Sequence, residues 1–253
     1  MSNITEVKVA VDGCRASLTF TSESGLNVSS RETLARLAHG VETLAGNPVV
    51  RLTVVRAEGK VFLAGADIKE MSGFDADRAR EFSVFGNRTM DSLALLPSIT
   101  VAAIQGAALG GGCEIALACD FRIAVKRAKI GLPETTLGLI PGWGGTKRAS
   151  RLLGPTRARR LIFGGGVLSA DDALQIGLID EVVAEEADLG PAIQRLFDAL
   201  HRGGPRAIAM VKRALATGDE PAAFAECFAG SESGEGIAAF MEKRPAKWME
   251  KRP

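Results

Sequence analysis

Three short stretches carry the residues that could do chemistry. In AALGGGCEIALACD, residues 107–120, Glu114 is the only carboxylate before the closing Asp120, and from Ser92 to Cys119 no other charged side chain occurs. An ionised carboxylate buried without partners costs several kcal/mol, so a chain that places one in such a run must use it. Gly110, Gly111 and Gly112 let backbone approach a ligand with no Cβ in the way. A helix opening after them directs free N–H groups and a partial positive charge at whatever docks there, which is how an oxyanion is stabilised. The same residues would also serve as a tight strand-to-helix turn with Glu114 as its cap.

The second stretch, GLPETTLGLIPGWGGT at residues 131–146, brings Glu134 directly after Pro133 and ends in a glycine-rich turn. The twenty positions from Glu114 to Glu134 leave room for a helix, a strand and a return, enough to bring both carboxylates to one cleft. An exposed loop acid is the alternative. The third, VFLAGADIKEM at residues 61–71, sets small residues around Gly65 and follows them with Asp67, which also suits a cap on the next helix.

These stretches need elements to position them. Val7 to Val11 and Ala16 to Phe20 are β-prone runs around Asp12-Gly13, a hairpin signal. Leu34, Leu37, Val41 and Leu44 recur at helical spacing across residues 31–46, and Gly46-Asn47-Pro48 stops them. Leu52 to Val55 reads as a buried strand, followed by KVFLAGADI as a loop and a helix over roughly 77–96. Strands are expected at Thr100 to Ile104 and Phe121 to Val125, and helices near 145–153, 156–163 and 170–176, so the class is α/β. After about Ala187 the remaining segments look helical, and their apolar faces need another surface.

Composition narrows the function. Thirty-one Lys and Arg against thirty Asp and Glu give a net charge of +1, which favours neither nucleic acid nor an anionic membrane. Cys14, Cys113, Cys119 and Cys227 match no zinc or redox spacing, and no signal peptide is legible, so a reduced cytoplasmic setting is expected. The glycosylation patterns at Asn3 and Asn27 are then chance matches. With only His39 and His201, carboxylates are the expected acid–base groups, and neither a histidine metal site nor a Ser-His-Asp triad is expected. Ile99 to Cys119 has the length of a membrane span, but its four glycines and Glu114 argue for a buried strand, a turn and a buried helix.

The order, wording and spacing of the three stretches resemble the crotonase family, also called the enoyl-CoA hydratase/isomerase family, and the likeness runs from the early hairpin to the terminal EGIAAFMEKR. The resemblance implies a ClpP-like spiral of β-β-α repeats over residues 1–190. It implies a helical C-terminal region, 191–253, that builds trimers, often paired into hexamers. It further implies an acyl-CoA substrate whose thioester oxygen sits in an oxyanion hole formed by the N–H groups of Ala66 and Gly111. Glu114 would activate water for attack at C3 and Glu134 would supply the proton to C2. That is a lyase reaction of fatty acid metabolism, the hydration of a 2-enoyl-CoA. It needs no metal and no cofactor beyond the coenzyme A of the substrate itself.

Carried further, the family pattern puts Ala64, Ala66, Asp67, Ile68 and Lys69 along the adenine-nucleotide end of the CoA site, with Phe240 and Lys243 contacting CoA from a neighbouring subunit. Trp143, beside Gly142, is expected either to narrow the acyl pocket or to pack between turns of the spiral. FTSESGLNVSS departs from the family's Asn-Arg-Pro turn, so part of the usual CoA grip is replaced. Between Thr135 and Ala170 there are six basic residues and no acidic one, a source of positive potential for CoA phosphates or a subunit contact, or a solvated face. A double-bond isomerase, another acyl-CoA hydrolase or lyase, and an RNA-binding homologue are the alternative functions; the pair Glu114 and Glu134 and the balanced charge favour hydration.

Overall fold

The first expectation to meet its structure is the hairpin. In the computed structural model, which describes residues 4–250, β1 (Glu6–Asp12) and β2 (Arg15–Thr21) pair antiparallel with Asp12 opposite Arg15. Gly13 turns the chain at φ 56°, a left-handed conformation that suits glycine. Asn3 lies outside the described residues.

The chain continues through α1 (Arg31–Ala45), β3 (Leu52–Ala57), β4 (Val61–Leu63), a short α2 (Ile68–Met71), α3 (Ala76–Ala94), β5 (Ile99–Ile104), β6 (Ala107–Leu109), α4 (Gly111–Ala118), β7 (Phe121–Val125) and β8 (Lys129–Gly131). A 3-10 turn (Glu134–Leu137), α5 (Gly145–Leu153), α6 (Pro155–Phe163), β9 (Val167–Ser169), α7 (Ala170–Ile176) and β10 (Glu181–Val183) complete the sheets. Helices α8 (Leu189–Leu200), α9 (Pro205–Thr217), α10 (Glu220–Cys227), α11 (Glu232–Glu242) and α12 (Lys247–Glu250) follow.

The strands sort into two sheets. The larger runs β1-β2-β3-β5-β7-β10 and is parallel from β2 onward; the smaller runs β4-β6-β8-β9, parallel except for β9. Each pass of the chain gives one strand to the large sheet and the next to the small sheet. β3 and β4, β5 and β6, and β7 and β8 are three such passes, each followed by helix, as a spiral of β-β-α repeats requires. This is the α/β architecture that the resemblance to the crotonase family implies.

Local sequence explains the elements. Ser30 caps α1 by accepting the Thr33 N–H, and the stripe Leu34, Leu37, Val41, Leu44 turns to the core. Asp75 caps α3 through the Arg78 N–H. All six residues of β5 are buried, as in a strand of a parallel sheet covered on both faces. Every residue of α4 is buried too, since it packs against α3, α5 and strands of both sheets. Lys212 of α9 reaches back to donate to the Ser98 carbonyl at 2.9 Å and to Asp120 at 2.7 Å, tying the C-terminal helices to the large sheet.

The small sheet is the main difference from the sequence reading. β4 lies within the segment expected to be loop, and β6 within the expected glycine turn. Three-residue strands are too short to show a period of two, and their partners are distant in sequence. Among the described residues no helix is long and apolar enough to cross a membrane.

The spacing between β4 and α4 depends on Gly112, because a Cβ there would stand 2.3 Å from the Leu63 carbonyl oxygen. Backbone, not a flexible side chain, would have to move. Gly112→Ala is expected to destabilise the fold by about 1–3 kcal/mol, read as a lowered melting temperature. A melting curve identical to that of the wild type would contradict this packing.

Candidate active site

The three chemistry-bearing stretches leave the C-terminal ends of three adjacent parallel strands of the small sheet. β4 leads to Ala64, Gly65 and Ala66, β6 to Gly110 and Gly111, and β8 to Pro133 and Glu134. Neighbouring strands lie about 4.8 Å apart, so the three segments are side by side although some seventy residues of chain separate the first from the last. They line one cavity of about 580 Å³ together with Ile68, Glu114, Gly142 and Trp143.

Two of the residues lining this space, Gly111 and Ala66, matter for their backbone N–H groups. Gly111 is the first residue of α4, so its N–H has no intrahelical acceptor. Ala66 forms a parallel bridge with Ser29, in which the Ser29 N–H donates to the Gly65 carbonyl at 2.8 Å and the Asp67 N–H donates to the Ser29 carbonyl at 3.0 Å. In that pattern the N–H of the central residue, Ala66, points to the opposite side. Gly110 turns at φ 51°, and a Cβ on it would come within 3.2 Å of Glu134 Oε1, so both conformation and space call for glycine.

Glu114 does not cap its own helix. Its Oε1 accepts the Trp143 N–H at 2.7 Å and the Gly145 N–H at 2.8 Å, from the turn between the 3-10 segment and α5. Only 2% of the residue is exposed. Burial pushes its carboxyl up to about 7; the two N–H groups and Arg148 pull it down, and Glu134 adds to the rise. Glu134, half-buried on its 3-10 turn, is also raised by burial, and its Oε2 is buried without a hydrogen-bond partner among the described residues. Burial therefore raises both carboxyls that line the cavity.

The remaining expected site residues divide. Ala64, Ala66 and Ile68 line the cavity, whereas Asp67 caps α2 by accepting the Lys69 and Glu70 N–H groups, and Lys69 is exposed and not among the lining residues. Phe240 and Lys243, at the end of α11, are not among the residues lining this cavity, and Phe240 is 86% exposed. Trp143 is buried, edge-on to Phe82 with ring centroids 5.4 Å apart, so it both packs and forms a wall of the cavity. Of the six basic residues, Lys147 and Arg148 pair with Asp91, and Arg151, Arg157, Arg159 and Arg160 are exposed. The four cysteines are free, and among the described residues no three His, Cys, Asp or Glu side chains cluster as a metal site would require.

Sequence reasoning missed the residues of α3 behind the site. Ser83 donates to the Gly142 carbonyl at 2.6 Å, Asn87 donates to the same carbonyl at 2.7 Å, and Asp91 pairs with Arg148. Their spacing of four is a legible polar face on an otherwise apolar-striped helix, and that was the available signal.

Comparison with known proteins gives the same direction. The family model described as enoyl-CoA hydratase/isomerase matches residues 15–251. The crotonyl-CoA hydratase of Syntrophomonas wolfei subsp. wolfei is 38% identical over 237 residues, 89% of this chain and 91% of that one. The short-chain-enoyl-CoA hydratase of Clostridium acetobutylicum is 36% identical over 252 residues, 95% of this chain and 96% of that one. Among solved structures, the enoyl-CoA hydratase of Bacillus anthracis superposes with a TM-score of 0.85 at 34% identity, covering 95% of this chain and 98% of that one.

The raised Glu114 carboxyl has a consequence for stability. The native state holds this proton more tightly than the unfolded chain, so the contribution is full below the unfolded value of 4.5 and is lost as pH rises through about 7. Glu114→Gln keeps an acceptor for both N–H groups and cannot ionise. It is expected to gain on the wild type by up to about 3 kcal/mol between pH 5 and pH 8, measured as the difference in unfolding free energy. A difference independent of pH would contradict the burial of a titrating carboxyl.

Proposed function

The chain belongs to the enoyl-CoA hydratase/isomerase family and is an enoyl-CoA hydratase, and from that premise we propose how its residues divide the work. The N–H groups of Ala66 and Gly111 receive the thioester oxygen. Glu114, ionised, takes a proton from a water whose oxygen attacks C3. The electron pair of the 2,3 double bond moves onto the thioester as an enolate, whose charge the two donors hold. Glu134, protonated, delivers a proton to C2. The product is the 3-hydroxyacyl-CoA, and Glu114 and Glu134 have exchanged protonation states, which solvent or the next water resets. No metal or redox group enters the proposed steps, and coenzyme A enters only as part of the substrate.

The observation that carries this reading is that Ala66, Gly111, Glu114 and Glu134 all line one cavity, beyond the ends of three neighbouring strands. Burial raises both carboxyls, and the N–H groups of Trp143 and Gly145 favour the ionised form of Glu114, which suits it to the part of the base. Two carboxyls favour addition of water over a double-bond shift, which one proton carrier can perform.

The CoA moiety is proposed to run past Ala64, Asp67, Ile68 and Lys69, with Phe240 and Lys243 reaching it from a neighbouring copy. Exposed apolar side chains on the terminal helices, among them Phe224, Phe228, Ile237 and Met241, support a second copy covering them, in a trimer or a pair of trimers. The free cysteines suit a reduced, cytoplasmic setting. Trp143, with Phe82 and Phe74 in the wall beside it, is proposed to bound the acyl end and to favour short chains.

Mixing the protein with crotonyl-CoA should remove the absorbance of the conjugated thioester and yield 3-hydroxybutyryl-CoA. Glu114→Gln and Glu134→Gln should each lower the rate by roughly 10²–10⁴. Turnover that survives either change would overturn the assignment of roles. Trp143→Leu should raise the rate on longer enoyl-CoA esters relative to crotonyl-CoA by roughly tenfold, and an unchanged chain-length profile would remove Trp143 from the acyl pocket.

A further inference from the structure

The turn that donates to Glu114 is itself held from behind. Peptide groups from Gly142 to Gly145 present N–H groups toward Glu114, while the carbonyls of Gly142 and Trp143 are taken by side chains of α3 and α5. Ser83 and Asn87 donate to the Gly142 carbonyl at 2.6 and 2.7 Å. Arg148 Nη1 donates to the Trp143 carbonyl at 2.8 Å, and Arg148 Nη2 pairs with Asp91. Only 11% of the Arg148 side chain is exposed, and its guanidinium is held at both ends, by the Trp143 carbonyl and by Asp91.

Resting on the assignment of Glu114 as the base, we propose that Arg148, held by Asp91, is a positioning residue: it fixes the Trp143 carbonyl so that the N–H groups of Trp143 and Gly145 stay on the reacting carboxylate. The Trp143 carbonyl belongs to the planar peptide unit between Trp143 and Gly144, which joins the unit carrying the Trp143 N–H to the unit carrying the Gly145 N–H, so pinning it fixes the link between the two donors. Released, the Trp143 carbonyl would lack a partner and the turn would be free to rotate its donors off Oε1. The charge acts in the same direction, because the guanidinium favours the ionised form of Glu114. The other charged or titratable groups about Glu114 are Glu134 from the turn after β8, Asp91 of α3 through Arg148, Lys147 on the cavity rim, and Cys113 of its own helix.

The test compares Arg148→Met, Arg148→Lys and Asp91→Asn with the wild type, reading kcat and KM for crotonyl-CoA across pH together with melting temperature. Arg148→Met is expected to lower kcat roughly ten- to a hundredfold with KM little changed, since a base displaced by a fraction of a bond length loses most of its advantage. It should also move the acidic limb of the pH profile to higher pH. Arg148→Lys should restore the limb, which depends on charge, and only part of kcat, which depends on the fork. Asp91→Asn should show the Met pattern in weaker form. A folded Arg148→Met with wild-type kcat and limb would overturn the proposal, as would a loss confined to KM or to melting temperature. If Arg148→Met does not fold, the Arg148→Lys and Asp91→Asn variants decide the matter by the same criteria. Glu114→Gln separates the two layers: activity retained there removes the role of Glu114 itself, whereas an inactive Glu114→Gln beside a normal Arg148→Met removes the positioning role alone.

Discussion

A carboxyl taken out of water inside an apolar helix is the constraint from which the rest of this structure follows. Glu114 sits where burial strongly favours its neutral form, and two backbone N–H groups, with a nearby guanidinium, restore enough stability to the ion that proton exchange falls near neutrality. Neither influence alone would serve. Without the donors the group would stay protonated; in open solvent it would stay ionised and be a weak base. The apolar face of α4, the glycine turn ahead of it and the clamped turn at Gly142–Gly145 are all consequences of holding one oxygen between these limits.

The fold solves a second problem, that of bringing distant segments together without long loops. Three consecutive strands of the small sheet, β4, β6 and β8, are parallel and adjacent, so whatever follows their ends is aligned at strand spacing. Ala66, Gly111 and Glu134 arrive by this route, one from each pass of the spiral. The large sheet and its helices supply the rigid core behind them; the site itself belongs to the short strands. Helix α3 then closes the arrangement, since its Ser83, Asn87 and Asp91 secure the turn that completes the environment of Glu114.

Much of this was legible in the residues. A lone Glu114 in an apolar run, the glycines before it, and Glu134 after Pro133 pointed to one cleft holding both carboxyls, and the hairpin, α1, β5 and α7 followed from turn residues and periodicity. What escaped was non-local or brief. β4, β6 and β8 have three residues each and owe their existence to one another, so no local pattern marks them. The partners of Glu114 are backbone N–H groups about thirty residues away, which no side-chain type reveals. Trp143 offered two readings, packing or pocket wall, and the structure gives both, because its ring lies between α3 and the cavity.

The most direct measurement is the titration of the Glu114 carboxyl itself, by NMR of labelled glutamate carboxyl carbons in the folded protein, with Glu114→Gln identifying its resonance. The account predicts a midpoint near the value of about 7 that burial and its hydrogen bonds set. A midpoint in the ordinary carboxylate range would mean that the site does not hold the proton this chemistry requires.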